Sequence, residues 1–111
     1  MPNAIRSILY GFSIQLKRLL GKDLSKIILY GSYARGDFQE NSDVDVMILV
    51  KLSPEKIEHF ESSIFDLAFD IELEHGIHIS PIIKNEDQFE YWADVLPFYR
   101  TVRNEGVEIN G

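Results

Sequence analysis

The stretch Val44-Asp45-Val46-Met47-Ile48-Leu49-Val50 constrains the fold of this chain more than any other. Alternate side chains of an extended strand point to opposite faces, and here both sets are apolar. Val44, Val46, Ile48 and Val50 fill one face, and Met47 and Leu49 the other. Such a strand needs cover on both sides, so it belongs inside a sheet with other elements packed above and below. The pattern predicts a strand from Asp43 to Val50. Lys26-Ile27-Ile28-Leu29-Tyr30, short, apolar and ended by Gly31, predicts another buried strand before it. Ile77 to Ile83 predicts a third, with Pro81 inside it. Proline donates nothing to a ladder, which puts that strand at an edge or on a bulge.

The helices follow from a different period. Ile5, Ile8, Leu9, Phe12, Leu16, Leu19 and Leu20 recur at helical spacing, with Gly21 as a C-terminal cap. Gly11 lies inside that helix, where it costs ~1 kcal/mol relative to alanine. Ser53 and Pro54 form an N-cap and first-position pair ahead of the stripe Ile57, Phe60, Ile64, Leu67, Ala68 and Ile71, which Gly76 stops. Asn85 with Gln88 resembles a capping box before a short helix around Phe89 and Trp92. Pro97 opens a last helix, Gly106 closes it, and Val107 to Ile109 can add an edge strand. The fold class is therefore α/β (α+β): a small mixed β-sheet with helices packed on it.

Composition narrows the function. With 111 residues, 45% of them hydrophobic, the chain is expected to form one domain over residues 1–111. It has no cysteine, which excludes disulfides, thiolate zinc sites and a cysteine nucleophile, and fits a cytoplasmic protein. No apolar run approaches the ~20 residues of a membrane helix, so no membrane partner is expected. The stretch Ile8 to Phe12, between Arg6 and Lys17, lacks the small-residue cleavage site of a signal peptide. Net charge is −7, concentrated in residues 54–95, where eleven acidic residues face two basic ones. Such a chain does not grip nucleic acid by neutralising phosphates, so no direct nucleic-acid binding is expected.

The chemistry is concentrated in residues 31–45. Gly31 and Ser32 follow a buried strand and open a short helix; free backbone N–H groups and a hydroxyl there suit a phosphate. A Gly-Ser pair alone also reads as a plain turn. Asp43 and Asp45, two apart on a strand, project to one face at the start of an otherwise apolar run. Side-by-side carboxylates repel, and a divalent cation shared with substrate phosphates resolves the conflict. An exposed strand end is the alternative for an isolated pair; the Gly-Ser turn one strand earlier favours the metal–phosphate reading.

Gly-Ser, then Ala-Arg-Gly, then Ser-Asp-x-Asp before an apolar strand resembles the DNA polymerase β-like nucleotidyltransferase superfamily, and the short length resembles its minimal nucleotidyltransferases. The motif covers residues 31–45, and the element order extends the likeness over most of the chain. The resemblance implies a nucleotidyltransferase-like fold and a nucleoside triphosphate, ATP, held with Mg2+. By match to the motif, Ser32 contacts the phosphates, Gly31 provides the turn, and Asp43 and Asp45 are the catalytic carboxylates and metal ligands. Arg35 matches a basic position near the phosphates; an ion pair with Asp37 or Glu40 is an equal alternative.

The family also supplies a third carboxylate from the next strand. Here Ile77 to Ile83 contains no Asp or Glu, and Asp70, Glu72 and Glu74 lie upstream on the predicted helix. Alternation leaves His78 and Ser80 to occupy the place beside the aspartates.

Minimal members commonly pair with a helical HEPN-domain protein as the antitoxin of a toxin–antitoxin system. The resemblance thus implies an adenylyl transferase whose acceptor hydroxyl belongs to a HEPN-type partner. A homo-oligomer completing the site stays open, as does a nucleotide-binding or toxin-neutralising module without turnover. His59, His75 and His78 have no metal-binding spacing, and Ser32 lacks the paired histidine of a hydrolytic nucleophile. Tyr91, Trp92, Phe98 and Tyr99 read as helix packing, because a base-stacking platform belongs in basic surroundings.

Overall fold

In the computed structural model, which describes residues 2–109, the apolar run forms β2 (Val44–Val50) inside a four-stranded sheet. Val46 to Val50 are each 0% exposed, as a strand apolar on both faces requires. β1 (Leu24–Tyr30) runs antiparallel to β2, and β3 (Ile79–Asn85) runs parallel to it on the other side. β4 (Val107–Glu108) pairs with β1, giving the spatial order β3-β2-β1-β4. Pro81 therefore lies on an edge strand, where its missing N–H leaves no gap in the sheet interior.

The third strand begins and ends two residues later than its apolar alternation predicts, at 79–85 rather than 77–83. Gly76, left-handed at φ 70°, caps the preceding helix, and Ile77 and His78 carry the chain across to the sheet margin. At the other end Lys84 and Asn85 still pair with Leu49 and Val50. An edge strand can continue on polar residues, which apolar periodicity does not detect.

Helices α1 (Asn3–Leu20) and α3 (Pro54–His75) cover one face of the sheet. Ile5, Leu9, Phe12, Leu16 and Leu20 of α1 pack there with Ile57, Ile64 and Ala68 of α3 against Ile27, Leu29, Val46, Ile48 and Ile83. Gly21 caps α1, and Ser53 caps α3 by accepting the Lys56 N–H. The opposite face carries α4 (Glu86–Val95) and α5 (Pro97–Glu105). Asn85 caps α4 by accepting the Gln88 N–H at 3.0 Å, and donates its own amide to Leu52 O at 2.9 Å. Arg103 bonds Asp94 at 2.9 Å and Arg100 reaches Asp94 O at 2.9 Å, clamping α5 to α4. The pair buries Met47 and Leu49 under Phe89 and Val102.

That cover decides where a site can form. Asp45 shares the face of Met47 and Leu49 but stands nearer the start of β2, and it remains partly exposed. Among the described residues no helix is long and apolar enough to cross a membrane.

Candidate active site

The site is built on the turn that ends β1. Gly31 sits at φ 77° and ψ −154°, a conformation essentially restricted to glycine. Its missing side chain is required a second time, because a Cβ there would run into the Asp45 carboxylate, 3.3 Å from its Cγ. Ser32 then opens α2 (Ser32–Arg35), a single turn. The Ala34 and Arg35 N–H groups both return to Gly31 O at 3.1 Å. Those of Ser32 and Tyr33 have no partner within the turn, as at any helix start. Tyr33 is buried and stacks on Phe38 at 4.5 Å, anchoring the loop that leads to Asp43. The Ser32 hydroxyl makes no hydrogen bond among the described residues, so it is not used to build the turn.

Asp45 is the cross-strand partner of Tyr30, one residue before Gly31. Burial pushes the Asp45 carboxyl above its usual range, the nearby Asp43 charge pushes it further, and Arg35 opposes both. The repulsion expected from the sequence thus exists in the fold. Tyr30 is pushed up to about 12, by burial first and then by Asp45 and Tyr99, so its hydroxyl stays protonated at neutral pH. Arg35 pairs with Asp37 at 3.2 Å, one of the two partners anticipated for it, and still acts on Asp45.

A cleft of about 360 Å³ opens at this point. Gly31, Ser32, Arg35 and Asp45 line one wall, and Asp43 stands just outside with its charge felt at Asp45. The opposite wall is α5, which presents Phe98, Thr101, Val102 and Glu105. These four fall at i, i+3, i+4 and i+7, one face of a helix. They were not among the sequence candidates. Their periodicity is visible in the sequence, but nothing local says which part of the sheet α5 will cover. Phe98 meets Tyr30 edge-on at 5.8 Å and Tyr99 at 5.1 Å, and Trp92 meets Tyr99, so three of the four aromatic residues pack as expected; Tyr91 instead lies exposed, and Phe98 also borders the cleft.

The third carboxylate has no counterpart in the fold. Ser80 pairs in register with Asp45 and so shares its face. The backbone of His78 reaches the same strand end, its carbonyl accepting the Val44 N–H at 2.9 Å. Its ring is instead engaged by Glu72 on α3. Asp70 and Glu74 line the groove between α1 and α3, on the other layer of the molecule. Among the described residues no group of three His, Asp or Glu side chains is placed to hold a metal ion. The protein offers two carboxylates, which suits Mg2+ completed by substrate phosphates and water better than an all-protein cage.

The Gly-Ser turn and Asp45 thus face one cleft on a mixed sheet, with Asp43 beside it. A profile of the nucleotidyltransferase domain matches residues 12–108, and the chain belongs to that family. It is similar to MJ0141 of Methanocaldococcus jannaschii, described as a candidate protein adenylyltransferase, with 39% identity over 105 residues covering 95% of this chain and 98% of that one. A second candidate protein adenylyltransferase from that organism, MJ0604, is 35% identical over 86 residues, 75% of each chain.

Among solved structures, a variant of the toxin–antitoxin MntA–HpeT contains a chain that superposes with a TM-score of 0.58 at 19% identity, covering 92% of this chain and 73% of that one. A complex of an MNT antitoxin with a tri-AMPylated HEPN toxin from Shewanella oneidensis gives 0.53 at 17% identity, covering 96% and 72%. A toxin–antitoxin with AMP-PNP gives 0.54 at 19%, covering 92% and 73%. These likenesses establish a nucleotidyltransferase-like fold.

Proposed function

We propose that this protein is an adenylyltransferase that moves AMP from ATP onto a hydroxyl of a protein acceptor, with a HEPN-type helical protein as that acceptor. The observation that carries this reading is the close approach of the Gly31–Ser32 turn to Asp45 on one wall of the cleft, so close that only glycine fits at position 31. The names of the relatives support the adenylyl group and the protein acceptor. The complexes formed by the structural neighbours support the partner class.

In this reading Ser32 donates its hydroxyl to the phosphates beside the free N–H groups, and Arg35 adds a cation. Asp43 and Asp45 hold one Mg2+, which when bound would neutralise phosphate charge and orient the reacting groups. The acceptor oxygen bonds to the α-phosphorus, the bond from that phosphorus to the bridging oxygen breaks, and pyrophosphate leaves. The acceptor's proton passes to a base. Ser80, opposite Asp45, is too weakly basic to take it, so the unaided chain transfers slowly and the partner supplies the base. ATP labelled at the α-phosphate, offered with Mg2+ and a HEPN-type protein, tests the proposal: label on that protein supports it, and nucleotide binding without label supports a non-catalytic module instead. The lack of a third carboxylate is what favours that second reading.

Two substitutions follow. Ser32→Ala should weaken ATP–magnesium binding by about tenfold or somewhat more, the effect of one hydrogen bond to a charged group worth ~1.5–3 kcal/mol. The unliganded protein should melt as before, because the hydroxyl bonds nothing among the described residues. A large loss of thermal stability would show a structural role instead. Ser80→Asp places a carboxylate in register with Asp45, and transfer should rise by up to about 10²-fold, the lower end of what a well-placed general base contributes. Unchanged or lower transfer would mean that the β3 position does not face the reacting groups.

A further inference from the structure

We infer that α5 is the nucleoside-recognising wall of the cleft, with Glu105 and Thr101 hydrogen-bonding the ribose hydroxyls of the nucleotide. The inference rests on the nucleotide reading above and adds a subsite to it. The cleft is chemically divided. The wall made by Gly31, Ser32 and Arg35 offers N–H groups, a hydroxyl and a guanidinium, all suited to anionic phosphate. Across from it, Glu105 offers only acceptors. A carboxylate repels phosphate, so the part of a nucleotide suited to lie against it is neutral and rich in donors. In a nucleoside triphosphate the ribose is that part. It joins the α-phosphate through one oxygen and one carbon, so it lies next to the bound phosphates.

Structural duties do not account for Glu105. It makes no hydrogen bond or ion pair among the described residues; Arg35 pairs with Asp37, and Arg103 with Asp94 and Glu90. It also sits in the last turn of α5, where a negative charge opposes the helix dipole. Its backbone is nevertheless held firmly. The next residue, Gly106, donates to Val102 O at 2.9 Å, and a Cβ on Gly106 would strike the Ile28 side chain. The end of α5 is thereby pinned to β1, two residues before Tyr30, or about 7 Å along the strand. Thr101, one turn earlier on the same face, adds a hydroxyl that can donate or accept. The site lies on the β1 flank of Asp45, away from Ser80 on β3, so Glu105 is no substitute for the absent third carboxylate.

Calorimetry on the full chain with Mg2+ and either ATP or 2′,3′-dideoxy-ATP tests the assignment. The unmodified protein should bind ATP about tenfold more tightly, the scale of a hydrogen bond to a charged group. Glu105→Ala should weaken ATP by that factor and leave dideoxy-ATP unchanged, which also shows that the variant is folded. Thr101→Val should give the same pattern with a smaller loss. Equal weakening of both nucleotides, or tighter binding of both once the carboxylate is gone, would overturn the subsite. Failure of the unmodified chain to bind either nucleotide would overturn the nucleotide reading itself, and the subsite with it.

Discussion

Asp45→Asn should abolish measurable transfer while leaving the protein folded and slightly more stable. The two effects have one origin. Asp45 is partly buried beside Asp43, and both conditions raise its carboxyl above the usual range, so the ionised form is disfavoured in the folded state. At neutral pH the folded protein holds that charge at a cost, and an asparagine of the same shape removes it. Transfer needs the charge to hold Mg2+ against the phosphates. Loss of a group that stabilises developing charge lowers turnover by about 10²–10³-fold, and here the metal goes with it. Asp43→Asn should fall as far in activity. A transfer assay and a melting curve without ligand read the two quantities separately. A variant that loses stability with its activity would point to Asp45 as a structural residue, and unchanged affinity for ATP–magnesium in both variants would remove the metal assignment.

Gly31→Ala is expected to damage both stability and nucleotide binding. The new Cβ must sit at φ 77° and meet the Asp45 carboxylate. The backbone conformation alone costs of order 1–3 kcal/mol in a residue with a side chain. A loss of about 2 kcal/mol lowers the melting temperature by roughly 8–16 °C in a domain of this size. Any relaxation that relieves the collision moves Asp45 from the Ser32 turn, so ATP–magnesium binding should be lost even where the variant folds. Gly11→Ala is the control, since nothing lies within 4 Å of its added carbon and alanine is the better helix former by ~1 kcal/mol. Similar melting temperatures for the two variants would mean that the turn is not held as described.

Much of the fold could be read from the chain because its elements are locally marked. The doubly apolar run at 44–50 leaves no position but the sheet interior, and Ser53, Asn85, Gly21 and Gly76 mark helix ends by their own chemistry. The two-residue displacement of β3 arose where such marks are absent, on an edge strand whose last rungs are polar. Half of the site was legible for the same reason. Gly31, Ser32, Arg35, Asp43 and Asp45 fall within fifteen residues and carry unusual types at a strand's end and a strand's start. The α5 wall was not legible, because Glu105 stands sixty residues beyond Asp45 and meets the cleft only through packing of Val102 and Gly106 on the sheet. Long-range placement of that kind leaves no pattern in a single sequence.

In the proposed reaction the cleft transfers the α-phosphoryl group of ATP with its nucleoside attached. Two parallel reactions with a HEPN-type protein and Mg2+, one with ATP labelled at the α-phosphate and one at the γ-phosphate, test it most directly. Label should reach the partner from the α position alone and be lost with Asp43→Asn or Asp45→Asn. Label from the γ position, or α-label that survives both substitutions, would contradict it.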